Sequence, residues 1–193
     1  MNYAKKTALM AIVAGLAFGP LIATPALAQT KDEKTVMVGG APMYPSKNIV
    51  QNAVNSKDHT TLVAAVKAAG LVDTLSGPGP FTVFAPTNEA FATLPKGTVD
   101  NLLKPENKAQ LTKVLTYHVV PGRMSAKDLM DAAQKAGGKA MLKTVEGGEL
   151  TVEVKGNALM IVDAKGDTAK VTIENVFQSN GVIQVVDTVL LPG

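Results

Sequence analysis

The sequence holds no cysteine and no tryptophan, and aromatic residues fill only 4% of its 193 positions. Without cysteine there is no disulfide, no thiolate metal site, no thiol nucleophile and no lipid attachment through an N-terminal cysteine. Histidine occurs twice, as His59 and His118, and nowhere does a G-x-S-x-G elbow, an H-E-x-x-H pair, a glycine-rich phosphate loop or a dinucleotide fingerprint appear. The residues therefore offer no catalytic set and call for no cofactor or metal. Stability has to come from burial of Val, Leu, Ile, Ala, Met and a few Phe.

The ends narrow the reading further. Lys5 and Lys6, the apolar run ALMAIVAGLAFG and the closing Ala26-Leu27-Ala28 have the charged, apolar, A-x-A layout of a secretory signal, so residues 1–28 are expected to be cleaved. The run is shorter than the roughly 20 residues that cross a bilayer, and no later segment approaches that length. Removing the signal takes away two lysines and no acid, leaving 17 basic against 16 acidic side chains and a net charge of +1 instead of +3. The footprint for nucleic acid or an anionic membrane is then missing. Export to the periplasm or beyond is the expected location. The remaining 165 residues are one domain's worth, enough to bury about 70% of the surface the unfolded chain exposes.

Residues 29–47 mix charges, Gly39-Gly40 and two prolines without a period, and read as an extended arm, with Met43 and Tyr44 packing on the domain or, as the second reading, offering an exposed apolar patch. From Asn48 the apolar spacing is helical through Ile49, Val50, Ala53 and Val54, then again from Leu62 to Ala69, with Gly70 as a stop. Phe81 to Ala85 reads as a strand, after which Pro86 and the cap residue Thr87 open a helix carrying Phe91. Further helices are expected from near Pro105 to His118 and over 127–135. Beyond 148 the period drops to two: Leu150, Val152 and Val154 alternate with Thr151 and Glu153, a Gly-Asn turn follows, and strands are expected over 159–162, 169–173, 182–186 and 189–191. Helices first and strands last make the class α+β.

Among candidate residues, His59 lies between Asp58 and Thr60 and reads as a solvent-facing turn residue; the spacing of the two histidines supports no metal site. Asp163-Ala164-Lys165-Gly166-Asp167 fails as a calcium loop because Lys165 stands where an oxygen ligand belongs, and reads as a solvated turn. His118 shares an apolar helical face with Leu111, Val114 and Leu115. It is either a core residue bonded to backbone or hydroxyl groups, or, with Tyr117, part of a recognition surface.

PFTVFAPTNEAF at 80–91, LTYHVVPG at 115–122 and SNGVIQVVDTVLLP at 179–192, in this order, resemble the first signature, the Tyr-His segment and the second signature of a fasciclin (FAS1) domain. The likeness runs from about residue 48 to the C-terminus, closest in kind to the small secreted single-domain fasciclin proteins of bacteria. It implies a wedge of about seven strands with a layer of helices, structural roles for Phe81, Phe84, Pro86, Thr87, Phe91, Asn180, Gly181, Gln184 and Asp187, and a non-enzymatic role in adhesion to a cell surface, polysaccharide or matrix protein. In animal matrix proteins of the family an Asp-Ile pair and the Tyr-His segment are associated with integrin-dependent adhesion; by position these fall on Asn175, Val176, Tyr117 and His118. An amide replaces the acid at Asn175, and Gln184 stands where the second signature often has histidine. Because some algal relatives bind carotenoids, an alternative is a carrier of a small apolar ligand, for which an apolar groove would be needed.

Overall fold

The computed structural model describes residues 34–193, and the expected signal at 1–28 lies outside them. The chain opens with two three-residue strands, β1 (Val36–Val38) and β2 (Ala41–Met43), paired antiparallel. Gly39 and Gly40 join them with φ of 58° and 74°. Two consecutive positive φ values are what a two-residue hairpin turn requires, and glycine adopts them without strain. The segment read as an extended arm is thus a ribbon from Val36 onward, and its Val38 and Met43 are buried in the core. Tyr44 stays partly exposed, so only one member of the Met43–Tyr44 pair packs inward.

Short helices follow: α1 (Ile49–Ala53), α2 (Thr60–Ala69) and α3 (Val72–Ser76). Strand β3 (Phe81–Pro86) leads into α4 (Asn88–Ala92), then α5 (Thr98–Leu102) and α6 (Lys108–Tyr117). After β4 (Val119–Pro121) come α7 (Ala126–Lys135) and the strands β5 (Lys139–Lys143), β6 (Glu149–Lys155), β7 (Ala158–Val162), β8 (Thr168–Gln178) and β9 (Gly181–Val186). Seven of the strands form one sheet in the order β4-β3-β9-β8-β7-β6-β5. Only the β3–β9 pair is parallel. The Val145 N–H donates to the Val119 carbonyl at 2.8 Å, which draws the two ends of the sheet together. The class is α+β, as the change of period along the chain implied.

PFTVFAPTNEAF turns the chain from sheet to helix. Phe81 to Val83 pair with β4 on one side, and Phe81 to Pro86 with β9 on the other. Proline is tolerated at the end of the strand, where it also holds Ala85 extended. The Thr87 hydroxyl accepts the Ala90 N–H at 3.2 Å and caps α4. Phe84 is fully enclosed and Phe91 nearly so.

One expected strand is absent. Residues 189–191 form no ladder; instead the Leu190 N–H donates to His118 Nε2 at 3.0 Å and the Leu191 N–H to Asp163 Oδ2 at 2.9 Å. Side chains supply the acceptors that a neighbouring strand would have provided, so the backbone is satisfied without sheet geometry. Asp163 is consequently no solvated turn residue. It is buried, and its Oδ1 also accepts the N–H groups of Lys165 and Asp167.

Two hydrophobic cores result. One joins the ribbon and helices α1 to α6 to the inner residues Val83, Ala85, Ile183 and Val185 of β3 and β9. The other gathers α7 and the alternating residues Leu150, Val152, Leu159 and Ile161 of β6 and β7 around Phe84 and Tyr117.

Candidate functional site

The last turn of α6 divides its two polar residues between the cores. Tyr117 is 1% exposed; its hydroxyl donates to the Glu149 carbonyl at 2.6 Å and accepts the Ala164 N–H at 3.0 Å. Burial pushes its pKa above the ordinary phenol value. Gly148 lies against the ring so closely that a Cβ there would come within 2.8 Å of it. His118, 2% exposed, points the other way. Its Nδ1 lies 2.8 Å from the Val114 carbonyl and its Nε2 accepts from Leu190, an arrangement that fits the Nδ1–H tautomer. Burial holds it neutral and pushes its pKa down to about 4. Of the two readings open for His118, the buried one with backbone partners describes it.

Asn175 sits in an irregular stretch of β8, where the register to β9 shifts, with φ of 58°. Asparagine is among the few residues with a side chain that occupy this left-handed region readily. Its Oδ1 accepts the Ala126 N–H at 2.7 Å at the start of α7, while its own N–H donates to Gln184 Oε1 at 2.9 Å. Gln184 then donates to the Met124 carbonyl at 3.2 Å, and Met124 N–H donates to Thr82 Oγ1 at 2.9 Å. Asn175 and Gln184 therefore fasten the β4–α7 connection to the sheet. Accepting at Oε1 and donating at Nε2 together uses both ends of an amide, which accounts for glutamine here without invoking titration. Val176 is buried in the helical core.

The four residues carried over as partner contacts are not assembled into one exposed surface. Tyr117, His118 and Val176 are enclosed and Asn175 alone is partly exposed. Tyr117, His118 and Asn175 each tie separate segments together through hydrogen bonds. Asn180 does the same on the helical side, accepting the Ile49 N–H at 3.0 Å and donating to the Leu75 and Gly77 carbonyls at 2.8 and 2.9 Å. Gly181 follows because a Cβ there would meet the Phe81 carbonyl at 2.3 Å. Asp187 accepts the Lys170 N–H at 2.8 Å.

His59 corrects the sequence reading outright. Ser56 and His59 bracket a single 3₁₀ turn, Lys57–His59, whose three-residue period brings both to one face. That face is inward, so Ser56 and His59 are 2% and 3% exposed while Asp58 and Thr60 face solvent. The recurrence Ser56, His59, Leu62 at intervals of three was the available signal, masked by the polar character of the neighbours. The Ser56 hydroxyl lies 2.9 Å from His59 Nδ1, and Nε2 is the one fully buried side-chain polar atom without a hydrogen-bond partner among the described residues. Burial lowers its pKa, offset in part by the nearby Ala85 carbonyl and Asp58.

Both histidines line an apolar cavity of about 50 Å³ in the helical core, walled also by Val38, Met43, Leu62 and Ile183. Ligand pockets for drug-sized molecules measure about 300–1,000 Å³. The cavity lies well below that range. Among the described residues no helix is long and apolar enough to cross a membrane, and no three acidic or histidine side chains cluster to hold a metal ion.

Comparison with known proteins agrees with this architecture. Residues 57–192 match the family described as the fasciclin domain. Protein sll1483 of Synechocystis sp. is 44% identical over 195 residues, covering 100% of this chain and 99% of that protein. Cell surface glycolipoprotein MPB83 of Mycobacterium bovis is 36% identical over 145 residues, covering 72% of this chain; this chain spans 58% of that protein's length. A FAS1 domain pair from the insect cell adhesion molecule fasciclin I superposes with a TM-score of 0.68 at 19% identity, over 77% of this chain and 52% of that one, and so shares its fold. The chain belongs to the fasciclin domain family.

Proposed function

We propose that the protein is an exported, non-catalytic binding module that attaches to a cell surface, a polysaccharide or an extracellular matrix protein. The observation that carries this reading is family membership across most of the chain, with a relative named for the cell surface and a fold shared with a cell adhesion molecule. The burial of both imidazoles supports the non-catalytic part, since neither is open to a substrate from solvent. Partner contacts then fall on exposed apolar side chains such as Met37, Tyr44, Val54 and Phe177 rather than on the enclosed Tyr117 and His118. A deletion strain compared with its parent in attachment assays tests the role. Reduced attachment to at least one surface, restored by the purified protein, is expected; unchanged attachment on every surface tried overturns it.

A further inference from the structure

His59 lies beneath the β1–β2 ribbon, and the two are joined directly. The Lys57 N–H, in the turn that carries the imidazole, donates to the Gly39 carbonyl at the ribbon's tip at 3.2 Å. At Gly39 a Cβ would come within 2.3 Å of Ser56 Oγ, the partner of His59 Nδ1, so the ribbon sits tightly on the Ser56–His59 pair. Val38 and Met43 of the ribbon and His59 itself line the same apolar cavity.

The ribbon's other fastenings are few. Asn52 accepts the Tyr44 N–H at 3.0 Å and donates to the Tyr44 carbonyl at 2.8 Å and to Gln178 Oε1. Three-residue strands held to the body by so few hydrogen bonds, with Val38 and Met43 as their apolar anchors, are the element over His59 most able to open locally.

We propose that the ribbon and His59 form an acid-opened latch: when the imidazole takes a second proton, the ribbon lifts and exposes the apolar wall it covers. A neutral ring is met at Nδ1 by the Ser56 hydroxyl and brings no charge into the apolar cavity. A charged ring donates from both nitrogens, and the nearby Ala85 carbonyl, outside full hydrogen-bond geometry at Nε2, offsets its burial only in part. An imidazolium taken out of water into an apolar cavity is costly, and hydration through the roof relieves it.

No surrounding charge offers an alternative partner. Asp58 and Lys57 on the same turn face solvent, Glu89 of the adjoining helix α4 is exposed, and the β1 and β2 strands themselves carry no titratable side chain. Lys67 of α2 lines the cavity but is a cation and cannot accept. His118, on another wall, is already bonded at both nitrogens and titrates near 4, below the range in which the latch acts.

Amide hydrogen exchange on the purified chain, corrected for intrinsic rates, tests the latch at pH 7, 6 and 5. Protection across Val36–Met43 is expected to fall by up to roughly 25-fold from pH 7 to pH 5, the population change for a group that protonates with an ordinary imidazole pKa only when open. The hairpin Glu149–Lys155 and Ala158–Val162 keeps its protection. In His59→Gln the ribbon's protection stays level with pH. Unchanged ribbon protection in the wild type, or an equal fall in His59→Gln, overturns the proposal. Should that variant fail to fold, the ring resonances of His59 in the wild type decide: a midpoint well below 6.5, moving together with ribbon amide shifts, supports the latch, and a midpoint at or above 6.5 refutes it.

Discussion

The two cores draw on the same few aliphatic side chains and close to different degrees. In the hairpin core Leu150, Val152, Leu159, Ile161 and Ala169 are completely enclosed, all on one face of adjacent strands. In the helical core a cavity of about 50 Å³ remains, with two imidazoles on its wall. The sheet's period of two meets its neighbours at a fixed spacing, so alternate residues interlock as a matter of course. Helices of five residues meet at many angles, and their gaps are closed by polar side chains bonded to backbone. Asn52, Asn180 and His118 do in the helical half what alternation does in the other.

The contrast can be broken where the cores meet. Phe84 lies on β3 within the hairpin core, and Phe84→Ala should cost about 3–5 kcal/mol in a denaturant melt through the cavity it leaves. The largest effect of pH falls on the helical side. His118 is held neutral when folded and takes its proton at about 4, against an ordinary value near 6.5. Above 6.5 folded and unfolded chains bind the same number of protons there. Between 6.5 and about 4 the unfolded chain binds more, so stability is lost as pH falls, by about 3 kcal/mol in all. Denaturant midpoints from pH 7 to pH 4, compared with those of His118→Gln, check this; the variant should show a shallower slope.

Smaller changes sharpen the comparison. Asn180→Ala removes the acceptor for Ile49 and the donor to two carbonyls at the C-terminal end of α3, and should cost about 2 kcal/mol because partly buried backbone groups lose their partners. Its hydrogen-exchange signature should appear in α1 and α3 and leave β6 and β7 protected. Thr87→Ala should cost about 1 kcal/mol through loss of the α4 cap, measurable as a shift in thermal midpoint. An unchanged midpoint would mean that packing of Phe91 alone sets the helix start.

The same contrast explains what was legible. The β6–β7 hairpin, the β3–α4 switch and the cap at Thr87 follow from local patterns, and the structure has them where those patterns put them. Strands β1, β2, β4 and β5 escaped notice: three are only three residues long, and β5 pairs two buried residues with two exposed lysines and an exposed methionine. The Gly39-Gly40 turn was the overlooked cue for the ribbon. Candidate site residues fared in the same way. For His118 the apolar helical face already offered the core reading, whereas Tyr117, Asn175 and Val176 were carried over by position, and resemblance transfers position along the chain and not exposure.

What the sequence by itself determined is the class of the protein: an α+β domain without thiol chemistry, with its turns, caps and alternating strands written in local residue order. Tertiary structure alone decided which way the polar residues face. Ser56 and His59, surrounded by charged and polar neighbours, went inward because one 3₁₀ turn placed them on the same face beneath a ribbon. Asp163 went inward because three backbone N–H groups, one of them 28 residues away at Leu191, converged on it. Burial of a polar group depends on whether distant partners arrive to satisfy it, and that information lies in the packing of segments rather than in any one of them.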